Sequence, residues 1–339
     1  MLDLFPSREA GPFGRRQKRT RGARIPVTVV TGFLGAGKTT LLRRFLGSPE
    51  GQGTAVIVNE FGAVGIDDAL VRNSADETVL LGNGCICCIT RSDLQLALRR
   101  LIFDRERGTV PPFSRVVIET SGLADPGPIL QTFSTDRALG GEFHIDVVLA
   151  VVDSVGGEAN LDDTAEARKQ VILADRLVIS KSDLAEPATV EKLARLLRHL
   201  NPRAPIDIAV AGALDPQRMI APSTAERSGF LAEAEHSDGV ASFVIEMAEP
   251  IAWPTFWRTM ETLTALRGAD LLRVKGLLNV VGCHGPVVIQ YVQHLAHPPV
   301  ELETWPDENR KSRVVFITRN VPERRVRDLF GAVQALSGS

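Results

Sequence analysis

The segment VTVVTGFLGAGKTTLL, from Val27 to Leu42, is the most informative part of this chain about its fold. An apolar, β-branched run of the kind found in buried strands breaks into GFLGAGKT and continues in a Leu/Arg pattern with helical spacing. The octapeptide fits G-x-x-x-x-G-K-[ST], the Walker A phosphate loop, and it lies between a strand and a helix as that motif requires. The segment therefore predicts nucleotide binding rather than an ordinary glycine-rich turn.

Each residue type in this loop has a physical reason. A backbone that bends tightly around a polyphosphate needs glycines, because a Cβ would obstruct the bend and the close approach of the amides. Lys38 is predicted to carry positive charge to the β- and γ-phosphates, and the Thr39 hydroxyl is predicted to ligate the accompanying Mg²⁺. The residues assigned to the nucleotide site in this segment are Gly32, Gly35, Ala36, Gly37, Lys38, Thr39 and Thr40.

Length and composition narrow the class of protein. The chain has 339 residues, 44% of them hydrophobic and 24% charged, which is long enough for two domains with separate cores. A formal net charge of -2 argues against nucleic acid or an anionic membrane as a partner, and no apolar run reaches the roughly 20 residues of a membrane helix. The arginine-rich first 24 residues lack an apolar core, so they predict a disordered basic extension rather than a secretory signal.

Short strand-like runs alternate with amphipathic stretches as far as about Val210, which predicts an α/β P-loop NTPase domain whose mainly parallel sheet is covered on both faces. The expected strands are 27–31, 54–59, 79–81, 115–119, 146–153, 176–181 and 206–210. A smaller α+β domain is expected after an irregular stretch, with strands at 240–246, 271–275, 277–281, 287–292 and 314–318. The predicted boundaries are 1–24 for the extension, 25–212 for the P-loop domain, 213–239 for a linker and 240–339 for the second domain.

A second motif ends the expected strand 115–119. Glu119 is followed by Thr-Ser-Gly, and a carboxylate at this edge of a parallel sheet can hold Mg²⁺ through water or polarise an attacking water. The amide of Gly122 can meet the γ-phosphate. Lys38, Glu119 and Gly122 are therefore the predicted catalytic residues. The alternative is an ordinary carboxylate at the end of a strand.

A third motif, SKSD, follows the strand at 176–181. A carboxylate at Asp183 could accept hydrogen bonds from guanine N1–H and the exocyclic amine, which adenine does not offer in that geometry. Lys181 could lay its aliphatic stem over the base. We therefore expect GTP rather than ATP, although Ser180 stands where GTP-binding proteins most often have Asn.

Three of the four cysteines, Cys85, Cys87 and Cys88, lie within four positions after a Gly-Asn-Gly turn. Thiolates are soft ligands that favour zinc and, less selectively, cobalt. Three sulfurs leave a position for water, another side chain or an incoming partner, which suits a delivery site, and Glu60 is the candidate additional ligand. Two other interpretations stay open: a redox pair of Cys85 and Cys88, and buried inert thiols.

Five motifs occur in the order GFLGAGKTT, NEFGAVGIDDAL, GNGCICC, ETSGLADPGPI and SKSD, and with them the chain resembles the CobW-type metallochaperone GTPases. This family includes the zinc-regulated GTPase metalloprotein activators and is related to UreG and HypB. The resemblance implies GTP hydrolysis coupled to holding and passing on a divalent metal. It implies Cys85, Cys87 and Cys88 as the metal motif, Glu119 in the hydrolytic motif and Asp183 for guanine. Ala63 stands where many members have Glu, which leaves the complete ligand set open.

The expected function is therefore a GTP-hydrolysing metallochaperone that uses GTP and Mg²⁺ and carries Zn²⁺, or alternatively Co²⁺, to a client apo-metalloprotein. Clustered thiols suit the reducing cytoplasm, which is the expected location, and a homodimer is left open. The alternative is a regulatory protein rather than a delivery protein. In this interpretation the chain is a GTPase switch whose thiols respond to oxidation or metal, and it regulates a partner without delivering cargo. Metal transfer to a client distinguishes the two.

Overall fold

The computed structural model describes residues 24–58, 79–81, 91–220, 234–235, 240–305 and 308–337. These residues separate into two compact units, one that ends at Ile220 and one that begins at Ala234. Each unit is built on its own sheet. None of the described helices has both the length and the apolar character needed to cross a membrane.

Seven parallel strands form the sheet of the first unit, in the order β3-β2-β4-β1-β5-β6-β7. This confirms the mainly parallel sheet that the sequence predicts, and each of the seven expected strands is present. The strands are β1 Ile25–Gly32, β2 Thr54–Val58, β3 Val79–Leu81, β4 Arg115–Glu119, β5 Phe143–Asp153, β6 Arg176–Ser180 and β7 Ile206–Ile208.

Helices lie in the described connections that follow β1, β3, β4, β5 and β6. Two short ones, α4 and α5, have 6 and 7 residues and were not expected, because so few residues cannot display a helical period. The described helices of this unit are α1 Lys38–Leu46, α2 Arg91–Glu106, α3 Pro126–Thr135, α4 Arg137–Glu142, α5 Gly157–Asp163, α6 Ala165–Ile172, α7 Pro187–Leu200 and α8 Pro216–Ile220.

Both faces of the parallel sheet are covered, as its apolar strands predict. Residues of β5 alternate between two buried clusters, with Leu149 and Val151 on the side of α1 and α8, and Ala150 and Val152 on the side of α6 and α7. Because successive side chains of a strand point to opposite faces, the two clusters lie on the two sides of the sheet.

The strand order brings the polar strand ends together. Strand β1 lies between β4 and β5, with Val30 opposite Glu119, and Asp153 on β5 lies opposite Ser180 on β6. Since all strands run in the same direction, their carboxyl ends share one edge, where ligands bind in sheets of this type. The phosphate loop, which follows β1, lies at this edge between the residues that end β4 and β5.

The start of the predicted linker 213–239 lies on the first unit instead. Helix α8 occupies Pro216–Ile220, and Met219 is 1% exposed within the cluster that α1 covers. The irregular composition of this segment gave no sign of the five-residue helix, whose few apolar side chains pack on the core. Residues 221–233 and 236–239 lie outside the described residues, as does almost all of the predicted extension, so the other domain boundaries stay predictions.

The second unit has an antiparallel sheet in the order β12-β11-β10-β14-β9-β8, with β13 paired to β11. Two helices pack on one face of it, around a buried core in which the rings of Phe243 and Phe316 stack 5.4 Å apart. This agrees with the predicted α+β domain. The elements are β8 Ala234–Glu235, β9 Val240–Met247, α9 Trp253–Arg267, β10 Leu271–Leu278, β11 Val287–Val292, β12 Leu295–Ala296, β13 Val300–Glu301, β14 Ser312–Arg319 and α10 Glu323–Ser337.

Strand β10 is continuous where the sequence predicts two strands separated at Gly276. A glycine in the interior of a strand usually weakens it. Here a Cβ at position 276 would lie 2.5 Å from the carbonyl oxygen of Arg313 on β14. Glycine is therefore present because the neighbouring strand passes too close for a side chain, and the strand does not break.

Candidate functional site

The phosphate loop leaves β1 at Gly32 and enters α1 at Lys38. Gly32, Gly35 and Gly37 have φ angles of 143°, 72° and 91°, which residues with a Cβ rarely adopt. A Cβ on Gly32 would also lie 2.2 Å from the carbonyl oxygen of Val151 on the neighbouring strand β5. Glycine at position 32 is therefore required by the packing of the sheet as well as by the bend.

Lys38 is folded back onto its own loop. Its Nζ donates hydrogen bonds to the carbonyl oxygens of Gly32 at 2.9 Å and Phe33 at 3.1 Å. A buried ammonium is stable only when acceptors surround it, and these carbonyls provide them. The positive charge is thus held at the phosphate loop.

Thr39 and Glu119 meet although 80 positions separate them. The Thr39 hydroxyl donates a hydrogen bond of 2.7 Å to Oε1 of Glu119, which is buried at the end of β4. A hydroxyl and a carboxylate side by side are hard oxygen donors, the type that Mg²⁺ prefers. The pair predicted from sequence to serve the metal of the nucleotide therefore fits that ion in its donor chemistry.

The loop after Glu119 touches the phosphate loop. The Thr120 amide donates to the carbonyl oxygen of Val30 at 2.9 Å, which continues the pairing of β4 with β1. A Cβ on Gly122 would lie 2.5 Å from the backbone nitrogen of Leu34, so only glycine allows this approach. Of the three predicted catalytic residues, Lys38 belongs to the phosphate loop, Glu119 contacts Thr39 at its end, and Gly122 lies against Leu34 within it.

Ser180 joins the base motif to the phosphate loop. Its Oγ donates a hydrogen bond of 2.6 Å to the carbonyl oxygen of Ala36, 144 positions away, and the serine is 4% exposed. A Cβ on Gly37 would lie 3.7 Å from the same hydroxyl. The residue in which the motif departs from the common Asn therefore contacts the loop directly.

Lys181 and Asp183 are held in place from two sides. Lys181 has a φ of 55°, its carbonyl accepts a hydrogen bond of 2.8 Å from the Ser154 hydroxyl, and its Nζ lies 3.8 Å from Oδ1 of Asp153. Asp183 is exposed, and its Oδ1 accepts a hydrogen bond of 2.8 Å from the Ala211 amide. Exposure and orientation by the backbone are what a carboxylate that reads a base requires.

The turn at Ala211 and Gly212 is part of this site and was not found in the sequence. Both residues have positive φ angles, 48° and 78°. A Cβ on Gly212 would lie 2.7 Å from Cγ2 of Thr40, which is exposed on the first turn of α1. The turn therefore connects the Asp183 carboxylate with the start of the helix that follows the phosphate loop. The Ala-Gly pair after the last strand is the only signal that the sequence offered.

The predicted metal ligands Cys85, Cys87, Cys88 and Glu60 lie outside the described residues. Within the described part of the chain, no group of three His, Cys, Asp or Glu side chains could hold a metal ion. Cys283, the described cysteine, belongs to the second unit. Its burial, with the charge and hydrogen bond of Glu301, raises the pKa of its thiol to about 12. A thiol with this pKa stays protonated at neutral pH and is a poor metal ligand.

Comparison with known protein families covers both units. Residues 26–207 match the family model described as "CobW/HypB/UreG, nucleotide-binding domain". Residues 240–334 match the model described as "Cobalamin synthesis protein cobW C-terminal domain". The two matches correspond to the parallel and the antiparallel sheet, in the same order along the chain.

Individual relatives agree with these matches. The chain is 37% identical over 320 residues to the protein named Zinc chaperone YjiA of Escherichia coli, with 91% of this chain and 99% of that protein covered. It is 35% identical over 198 residues to Zinc-regulated GTPase metalloprotein activator 1 of Schizosaccharomyces pombe, covering 56% and 47%. The crystal structure of the Zn(II)-bound YjiA GTPase from E. coli superposes with a TM-score of 0.65 at 32% identity, over 92% of this chain and 99% of that one.

Proposed function

Because the chain belongs to the CobW/HypB/UreG family of nucleotide-binding proteins, we propose that it is a metallochaperone that couples GTP hydrolysis to the delivery of a divalent metal. The chain is a GTPase with the P-loop NTPase fold. The observation that supports the wider proposal most is the match to a named zinc chaperone over 91% of this chain, together with three clustered cysteines in the sequence.

For hydrolysis we assign roles to the residues around the phosphate loop. Lys38 exchanges its carbonyl acceptors for oxygens of the β- and γ-phosphates, and the Gly122 amide faces the γ-phosphate. Thr39 and Glu119 would hold Mg²⁺, which when bound would supply positive charge against the phosphates. A water oxygen forms a bond to the γ-phosphorus while the bond from that phosphorus to the β–γ bridging oxygen breaks and the water releases a proton to solvent, which yields GDP, phosphate and a proton.

Base recognition falls to the loop after β6. The Asp183 carboxylate accepts from the two guanine donors, while the Ala211 amide keeps the side chain oriented. Lys181 covers the base with its aliphatic stem, and its ammonium lies near Asp153. Replacing Asp183 with Asn should weaken GDP binding and favour a purine whose ring carries an oxygen in place of the amine.

The cargo is assigned to Cys85, Cys87 and Cys88, with Glu60 as a further ligand. Their sulfur chemistry favours Zn²⁺, and Co²⁺ is the alternative. Thiolate zinc sites bind with apparent free energies on the order of 10–16 kcal/mol. Coupling between two sites is usually about 1–3 kcal/mol. Hydrolysis therefore cannot expel zinc into water, and transfer has to occur by ligand exchange with a docked client apo-metalloprotein, while the nucleotide controls docking.

The other parts of the proposal follow from the chemistry of the thiols. A reducing cytoplasm would keep the three cysteines available for metal. A homodimer is a further proposal, and the molar mass in solution with GDP and with a GTP analogue tests it. The competing function is a switch in which thiol or metal state changes nucleotide binding without cargo transfer.

The deciding experiment measures GTP turnover by anaerobically reduced, metal-free protein during titration with Zn²⁺ and with Co²⁺, while the bound metal is counted. We expect one tightly bound ion that changes the turnover rate. Cys87→Ala should lower metal affinity and leave metal-free GTP binding unchanged. Cys283→Ala is the matched control, because this thiol is distant in sequence and stays protonated, so it should change neither quantity.

Two results would reject the chaperone. If the cysteines bind neither Zn²⁺ nor Co²⁺ and neither ion changes the rate of GTP turnover, the proposed metal delivery is wrong. If thiol oxidation changes nucleotide affinity and no metal passes to any apo-protein, the thiol switch takes its place.

A further inference from the structure

Gln170 is a buried amide that the assignments above do not use. It lies on α6, it is 1% exposed, and its Nε2 donates to the carbonyl oxygens of Gly122 at 3.1 Å and Ala124 at 3.0 Å. Both hydrogens of the amide nitrogen are thereby occupied. These contacts join helix α6 to the loop after Glu119, 48 positions earlier in the chain.

The loop is consequently held from two sides. On one side Gly122 lies against the backbone of Leu34 in the phosphate loop, with no room for a Cβ. On the other side the two hydrogen bonds from Gln170 fix the carbonyls of positions 122 and 124, and hence the peptide planes that join Gly122 to Leu123 and Ala124 to Asp125. A loop that has to present an amide to a γ-phosphate binds more tightly when it does not have to be ordered first.

We propose that Gln170 is a positioning residue for GTP hydrolysis, which holds the loop of residues 120–124 where the Gly122 amide meets the γ-phosphate. The inference rests on the proposed contact of Gly122 with that phosphate. Because GDP lacks the γ-phosphate, the effect of Gln170 is confined to the triphosphate. A residue with only a structural role would change the binding of both nucleotides or of neither.

The variant Gln170→Met keeps the length of the side chain and removes both donors. We expect GDP to bind within about twofold of the unchanged protein, while affinity for a non-hydrolysable GTP analogue and kcat each fall about tenfold, the size that two buried hydrogen bonds supply. Hydrogen exchange of the amides at 120–125 should accelerate in the same variant. If Gln170→Met does not fold, Gln170→Asn, which is one methylene too short to reach both carbonyls, gives the same comparison.

The matched control is Asn201→Leu. Asn201 is also a buried amide that donates to backbone carbonyls, at Val171 and Ala174, which lie at the same C-terminal end of α6 as Gln170 but outside the loop of residues 120–124. It should lower thermal stability without changing the ratio of GDP to GTP-analogue affinity. The inference would be overturned if Gln170→Met left kcat and the ratio of GDP to GTP-analogue affinity unchanged. It would also be overturned if the variant lost affinity for both nucleotides equally.

The variant Gly122→Ala tests the proposed contact of Gly122 with the γ-phosphate separately from the role of Gln170. Its Cβ has to displace the loop or Leu34, so the ratio of affinities should change whether or not Gln170 matters. If Gly122→Ala changes the ratio and Gln170→Met does not, Gln170 is not a positioning residue. If neither changes it, the contact of Gly122 with the γ-phosphate is wrong as well.

Discussion

The substitution Ser180→Ala tests whether the base motif and the phosphate loop act as one site. The Ser180 hydroxyl donates a hydrogen bond of 2.6 Å to the carbonyl oxygen of Ala36, and both residues are buried. Removing the donor leaves a buried carbonyl with one hydrogen bond fewer. Such a loss lowers the free energy of unfolding by about 1–3 kcal/mol.

The effect on nucleotide binding follows from the place of Ala36. It lies between Gly35 and Gly37 in the loop whose amides are expected to surround the phosphates that GTP and GDP share. If the hydroxyl fixes this loop, Ser180→Ala should weaken the binding of GDP and of a GTP analogue to the same extent. The affinity falls by about tenfold for each 1.4 kcal/mol of free energy that is then needed to order the loop on binding. Titration calorimetry measures both affinities, and urea unfolding measures the stability.

Ser48→Ala is the control for this comparison. The Ser48 hydroxyl donates a bond of 2.7 Å to the carbonyl oxygen of Phe45, so it is the same residue type in the same kind of contact, just beyond the opposite end of α1. It should reduce stability and leave both affinities unchanged. Unchanged GDP affinity in Ser180→Ala, with stability lowered as in the control, would show that the contact is structural and refute the reasoning.

Three further outcomes are expected. Iodoacetamide at pH 8 should leave Cys283 of the folded protein unmodified by mass spectrometry, because burial, and then Glu301, raises the pKa of the thiol to about 12. Asp207→Ala should lower the free energy of unfolding by about 3 kcal/mol in urea, because it removes the carboxylate 2.7 Å from the buried Arg176 guanidinium. Burial alone would raise the pKa of Asp136, but hydrogen bonds from an arginine and two backbone amides outweigh it and lower that pKa. The folded protein therefore loses stability as the pH falls through this lowered pKa, and Asp136→Asn should be less stable at pH 7 yet less sensitive to acid.

Each of these outcomes has a clear contrary result. Rapid alkylation of Cys283 before unfolding would mean that its partly buried thiol is accessible and ionised at pH 8. The exposed pair of Lys192 and Glu158 is the control for the buried ion pair, and Lys192→Ala should change stability by less than about 1 kcal/mol. A similar small loss in Asp207→Ala, or identical acid sensitivity with and without Asp136, would contradict the corresponding argument.

Local sequence patterns predicted most of the fold and part of the candidate site. The glycines, Lys38 and Thr39 of the phosphate loop could be predicted because the demands of a tight bend around phosphate act within eight neighbouring residues. Apolar runs separated by helical stretches likewise predicted a parallel sheet with both faces covered, since a strand buried on both sides has to be apolar throughout. Short helices such as α4, α5 and α8 were not predicted, because they contain too few residues to show the helical period of apolar side chains.

The nucleotide-binding motif, the fold class and the candidate residues of the site could thus be predicted from local patterns in the sequence. The distant residues that support this site could be identified from the three-dimensional fold alone: Ser180 contacts Ala36, Gln170 contacts the loop after Glu119, and the turn at Gly212 lies beside α1. These contacts join positions far apart in the chain. They exist because the strand order places β4 and β5 on either side of β1, and that order follows from the packing of the whole sheet rather than from any local pattern.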